Sequence, residues 1–243
     1  MKTALVTGAS RGIGAAIAEE LARRGWAVGL NYRESRASAE ALAERLRAEG
    51  FSALALCADV SDAAAVERMV ETLGRELSAP DLLVNNAGVS YHGVFQNMTD
   101  AEWERCFAVN VGGARNAIRA VLPHMLTEKR GSVVNVASIW GLRGASCEVA
   151  YSCTKAALVA LTRSLALELA PSGIRVNCVA PGVIDTDMMR ALGEDVARSL
   201  AEQTPLGRLG TPRDVARAVA FLAGEDAAFL TGQVLTADGG FTV

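Results

Sequence analysis

The chain has 243 residues, 51% of them hydrophobic and 21% charged, and a formal net charge of −3. This composition supports one substantial core, and the interspersed charges leave no basic stripe for nucleic acid. The opening MKTALVTGAS is too short an apolar run for a secretory leader, and no stretch is long enough to span a bilayer. A cytoplasmic protein without a membrane partner is expected.

In chain order, TALVT (3–7) predicts a strand and residues 12–24 a helix. WAVGLN (26–31) precedes a helix near 35–49, and ALALCADV (53–60) one near 62–77. DLLVNNAG (81–88) leads to a long helical region from about 100 to 127. GSVVNVAS (131–138) leads through a loop to a helix near 150–170. IRVNCVAPG (174–182) enters a polar stretch and then a helix near 212–223, and QVLTADGG (233–240) closes the chain. Several of these seven strand candidates are apolar without alternation, as when both faces of a sheet are covered. Repeated βα units predict a doubly wound parallel α/β sheet in a single domain spanning 1–243. Residues 183–211 have the weakest periodicity and include Met188, Met189 and Pro205. They are expected to form a mobile segment that covers the substrate.

The first βα turn reads TGASRGIG (7–14), with Gly8, Gly12 and Gly14 around Ser10, Arg11 and Ile13. Glycine allows a tight turn and close backbone approach to a phosphate, and the helix that follows offers unpaired N–H groups. That position predicts a dinucleotide site. Near the end of the second strand stand Asn31, Tyr32 and Arg33, with Glu34 just beyond. Arg11 and Arg33 favour the 2′-phosphate of NADP(H), while Glu34 keeps NAD(H) as the alternative. Asp59 and Val60 follow the third strand, where the carboxylate can accept from an adenine amino group. Asn86, Ala87 and Gly88 end the fourth and line the floor of the site.

Five cysteines, with no CxxC pair, suggest neither a disulfide framework nor a zinc site, and the histidines, His92 and His124, are far apart. No metal is expected. Tyr151 and Lys155 lie four residues apart on one helix face, and Ser138 ends the fifth strand. A carbonyl receiving hydride develops negative charge on oxygen and needs a proton donor with a hydrogen bond to hold it. Tyr151 is expected to donate, with Ser138 orienting the oxygen. Lys155 is expected to lower the phenol's pKa and to hold the nicotinamide ribose, while Asn110 links Lys155 to water.

These residues resemble the short-chain dehydrogenase/reductase family over essentially the whole chain, through TGASRGIG, Asp59, NNAG, Asn110, Ser138, Tyr151, Lys155 and VAPG (179–182). The resemblance implies a Rossmann-type sheet of seven parallel strands and a catalytic tetrad of Asn110, Ser138, Tyr151 and Lys155. It implies nicotinamide contacts from Pro181, Gly182, Ile184 and Thr186. It also implies a homotetramer built on the long helices, to which AALVALTRSLALELA (156–170) is suited. GRLGTPRDVARAVAFLA and TGQVLTADGGF resemble 3-oxoacyl-[acyl-carrier-protein] reductases, whose acidic carrier calls for a basic docking face, here Lys129, Arg130 and Arg143. SIWGLRGASCEVAYS resembles instead the reductases of 5-aminopentanone-modified elongation factor P, with Trp140, Arg143 and Glu148 as pocket candidates and Glu148 facing a substrate amine. A sugar or steroid alcohol dehydrogenase and a non-catalytic NADP-binding regulator are the other readings.

Overall fold

Alternation along the central strands builds the two faces of the fold. In β1 (Thr3–Val6), Ala4 and Val6 enter one hydrophobic cluster and Leu5 enters another. In β4 (Leu82–Asn85), Leu82 and Val84 follow the first pair and Leu83 the second. A period of two thus sends neighbouring residues to opposite faces, and both faces are apolar because helices cover both. The first cluster packs under α1 (Gly12–Arg23), α2 (Arg36–Ala48) and α10 (Pro212–Ala223). The second packs under α3 (Ala63–Glu76), α5 (Gly113–Glu128) and α7 (Val149–Leu169). Each fully buried leucine or valine contributes roughly 1.5–3 kcal/mol.

This architecture comes from a computed structural model that describes residues 2–190 and 193–243; the side chains of Met188, Arg190 and Glu194 lie outside the description. The remaining strands are β2 (Ala27–Tyr32), β3 (Ala53–Cys57), β5 (Gly131–Val136), β6 (Ile174–Pro181) and β7 (Val234–Ala237). All pairs are parallel, and the sheet runs β3-β2-β1-β4-β5-β6-β7 among the described residues. The strand order reverses between β1 and β4, so a crevice opens above their carboxyl ends, where such sheets bind ligands. Every predicted strand is present and ends within a few residues of its expected bounds. No helix among the described residues is long and apolar enough to cross a membrane.

Two departures from the expected elements bear on the site. The long helical region holds α4 (Asp100–Phe107), a π-helical turn (Ala108–Gly112) and α5 in one unbroken run. Thr99 starts it with a capping box: its hydroxyl accepts from Glu102 N, and the Glu102 carboxylate accepts from Thr99 N. The polar stretch after β6 carries helix too, α8 (Asp187–Arg190) and α9 (Glu194–Gln203). Of the expected mobile cover, residues 191–192 lie outside the described residues.

Candidate active site

The cleft above the β1–β4 reversal has a volume of ≈ 830 Å³ and joins the glycine turn to Ser138, Tyr151 and Lys155. Its nucleotide end is made mostly of backbone. Gly8 has a positive φ of 64°, and a Cβ there would lie 2.9 Å from Ala87 Cα. A Cβ on Gly14 would collide with the Gly8 carbonyl and lie 2.5 Å from Asn86 Nδ2. These positions need glycine because β4 and α1 close on the turn from both sides. Helix α1 begins at Gly12 without a side-chain cap and without an acid in its first turn. Its first N–H groups are therefore available to an anion, so this cradle fits a pyrophosphate.

Several predicted nucleotide residues face inward as well as lining the cleft. Asn31 Oδ1 accepts from Gly8 N at 3.2 Å, and its Nδ2 donates to Ala58 O at 3.0 Å. Asn86 Nδ2 donates to Thr7 O and Gly8 O at 3.0 and 3.1 Å. The Thr7 hydroxyl accepts from the backbone N–H groups of Asn86 and Ala87. The two asparagines thus fix the turn's shape. Asp59 Oδ1 accepts from Ser61 N and Oγ, and Oδ2 faces Arg33 at 3.5 Å and Arg105 at 3.7 Å. Arg33 also pairs with Glu34, and Arg11 reaches Ser35 Oγ at 3.5 Å. Ser10, Ile13, Tyr32, Val60, Pro181 and Gly182 border the same cleft, as do Ile184 and Thr186.

At the other end, Ser138 follows β5 and its hydroxyl accepts from Trp140 N at 3.2 Å. It also lies close enough to the Tyr151 phenol to pull that group's pKa down against burial. Lys155 is buried; its ammonium donates to Val136 O at 2.8 Å and lies 5.4 Å from the Tyr151 ring centroid. Gly88 keeps space beside them, since a Cβ there would lie 3.3 Å from Asn110 Oδ1 and 3.5 Å from Lys155 Nζ. The structure therefore brings all four tetrad candidates to one place.

One electrostatic expectation needs correction. Lys155 does not depress the Tyr151 pKa: burial pushes the phenol up to about 12, with Ser138 opposing and the Glu148 charge adding. Burial also brings Lys155 down to about 8. Desolvation is the largest cause at both groups. The Asn110 amide is held by protein groups beside Lys155. Its Oδ1 accepts from Val89 N at 2.8 Å, and its Nδ2 donates to Val89 O and Thr154 Oγ1, both at 2.9 Å. Thr154 in turn donates to Tyr151 O at 2.7 Å, so Asn110 braces the helix that carries the tyrosine.

The substrate candidates divide. Trp140 and Glu148 line the cleft, but Arg143 does not: its guanidinium donates to Phe241 O at 3.3 Å. Glu148 is held above its usual carboxyl pKa by burial, with His92 opposing from 3.9 Å. Lys129 and Arg130 precede β5 at its amino end, away from the cleft, and Arg130 pairs with Asp81 at 3.2 Å. They do not form a docking face beside the catalytic residues. Sequence reasoning missed Arg105 and Val109, which also line the cleft, as do Met189 and Leu200 of the expected cover. For Arg105 the only clue was a helical position four residues before Val109 and five before Asn110.

Comparison with known proteins adds independent findings. Residues 8–242 match the family described as Enoyl-(Acyl carrier protein) reductase. The 3-oxoacyl-[acyl-carrier-protein] reductase FabG of Staphylococcus epidermidis is 41% identical over 239 residues, covering 98% of each chain. The crystal structure of 3-oxoacyl-[acyl-carrier protein] reductase from Brucella melitensis aligns with a TM-score of 0.94 at 35% identity, covering 100% of this chain and 92% of that one. That of a blue fluorescent protein from a metagenomic library, in complex with NADPH, aligns with a TM-score of 0.93 at 40% identity, covering 100% and 98%.

Proposed function

The chain belongs to the short-chain dehydrogenase/reductase family, and from that premise we propose that it is an NADPH-dependent ketone reductase acting on 3-oxoacyl groups carried by acyl carrier protein. The observation that carries this reading is the meeting of the Ser138 hydroxyl, the Tyr151 phenol and the Lys155 ammonium in the cleft that also holds the glycine turn. Two O–H groups converging on one point suit a carbonyl oxygen. Reduction of a carbon–carbon double bond, by contrast, ends with a proton on carbon and gives a paired-hydroxyl site less to do.

The turn from Gly8 to Gly14 would hold the pyrophosphate, Arg11 and Arg33 the 2′-phosphate, Asp59 the adenine, and residues from Pro181 to Thr186 the nicotinamide. NADPH supplies the hydride when bound. Ser138 orients the ketone oxygen, and Tyr151 gives it the proton that completes the alcohol. With a pKa near 12 the phenol is protonated throughout the neutral range, the form a proton donor requires. Lys155, near 8, is still mostly cationic at neutral pH and favours negative charge developing beside it. Asn110 steadies Tyr151 through Thr154.

The proposal includes one catalytic domain over residues 1–243 and a cytoplasmic homotetramer. In support, Cys153, Ala156, Ala160, Ser164 and Leu167 make an exposed, uncharged stripe along α7. A second substrate reading, 5-aminopentanone-modified elongation factor P, is favoured by the half-buried Glu148 carboxylate in the cleft, which suits a cationic group. Turnover of acetoacetyl carrier protein and of the modified elongation factor, followed side by side by loss of the reduced-nicotinamide absorbance, decides between them. Consumption of NADPH with neither overturns both readings.

A further inference from the structure

Trp140 forms part of the cleft wall near Ser138 and Tyr151, yet it sits at the start of a one-turn helix, α6 (Trp140–Arg143). So short a helix makes few contacts that could hold a large ring. Its backbone is fixed in another way. A Cβ on Gly141 would come within 2.6 Å of the Lys155 carbonyl carbon, so this turn lies directly on α7. The Trp140 N–H is bonded to Ser138 Oγ. The ring itself meets the carboxyl-terminal tail: Phe241 packs edge-on against it, with centroids 5.9 Å apart and planes at 81°. The Phe241 carbonyl accepts from Arg143, at the other end of the same helix.

The tail is a built turn. The Asp238 carboxylate accepts from the N–H groups of Gly240 and Thr242, both at 3.0 Å, and from the Thr242 hydroxyl at 2.5 Å. It is wedged between two other walls. A Cβ on Gly182 would lie 2.6 Å from Asp238 Cβ, and one on Gly239 2.7 Å from Thr204 Cγ2. The tail therefore has its own anchors and does not depend on Trp140 for its position.

We propose that Phe241 is a positioning residue that sets substrate size: it holds the Trp140 ring as the wall of the cleft and so limits the chain a ketone substrate can carry. The proposal rests on the ketone-reductase reading above. Because the Trp140 backbone has separate supports, loss of Phe241 frees the ring without moving Ser138. The effect should then fall on selectivity and leave the proton-transfer step intact.

The test compares the wild type with Phe241→Ala and Phe241→Tyr, using acetoacetyl and 3-oxododecanoyl thioesters of pantetheine. In Phe241→Ala the ratio of kcat/KM for the long thioester over the short one should rise about tenfold, the scale of apolar pocket discrimination. NADPH affinity and kcat for acetoacetyl thioester should stay at wild-type values, and Phe241→Tyr should restore the wild-type ratio. A second measurement needs no turnover. With Trp26 and Trp103 replaced by Phe, acrylamide quenching of Trp140 should increase on Phe241→Ala and its emission should shift to the red. An unchanged quenching constant overturns the clamp even if the ratio moves, and an unchanged ratio overturns size control. If the wild type reduces neither thioester, the catalytic reading fails and quenching alone decides whether Phe241 holds the ring.

Discussion

The two ends of the cleft satisfy their polar groups to very different degrees. At the glycine turn, Asn31, Asn86 and Thr7 bond to the backbone of the turn and of its neighbours. At the catalytic end, Tyr151, Lys155 and Glu148 are all desolvated, with pKa values moved against their charged forms. One end fixes geometry; the other shifts its titratable groups toward their neutral forms. The contrast teaches that binding and chemistry should fail separately in this molecule.

Four experiments separate the ends. The largest effect is expected from Tyr151→Phe, which removes the proton donor and should lower kcat about 10³-fold while NADPH titration stays at the wild-type value. Retained turnover would break the division. Gly14→Ala puts a methyl group against the Gly8 carbonyl and Asn86. Nucleotide affinity should fall about 10- to 100-fold, read by fluorescence titration, with kcat at saturating nucleotide much less affected.

The third experiment concerns stability. The folded-state pKa of Lys155 is lowered to about 8 from 10.5. Below pH 8 the buried ammonium is protonated in both states and its burial opposes folding. As pH rises from 8 to 10.5, the folded protein loses this proton before the unfolded chain does, so stability rises. Lys155→Met lacks this increment. Its stability relative to wild type should decline over that window by on the order of 3 kcal/mol, measured by urea unfolding. The smallest effect is expected from Glu148→Gln. Removing that charge lowers the Tyr151 pKa, so the alkaline limb of alcohol oxidation should move to lower pH by a fraction of a unit.

The same division marks what the sequence made legible. Strands buried on both faces announce themselves as apolar runs, so the sheet and its flanking helices follow from Thr3–Val6 onward. Ser138, Tyr151 and Lys155 were legible because helical spacing and a strand end bring them together. The direction of the Tyr151 shift was hidden, because desolvation depends on everything packed around a group. Arg143 was misassigned for a related reason: only the folded tail reveals that Phe241 takes its guanidinium. Helices α8 and α9 escaped notice because α8 has only four residues and neighbouring Gly193 and Pro205 read as loop.

The π turn at Ala108–Gly112 acts as a one-residue shim inside the run from Asp100 to Glu128. Each residue of an α-helix advances its face by about 100°. Deleting one residue there would let the run relax into an unbroken α-helix with both flanks keeping their orientation, because the wider turn is what absorbs the extra residue. Asn110 would lose its alignment with Val89 and Thr154 while most of the hydrophobic interior stayed assembled. A frame-preserving deletion of a single codon would thus be a lesion the fold tolerates and catalysis does not.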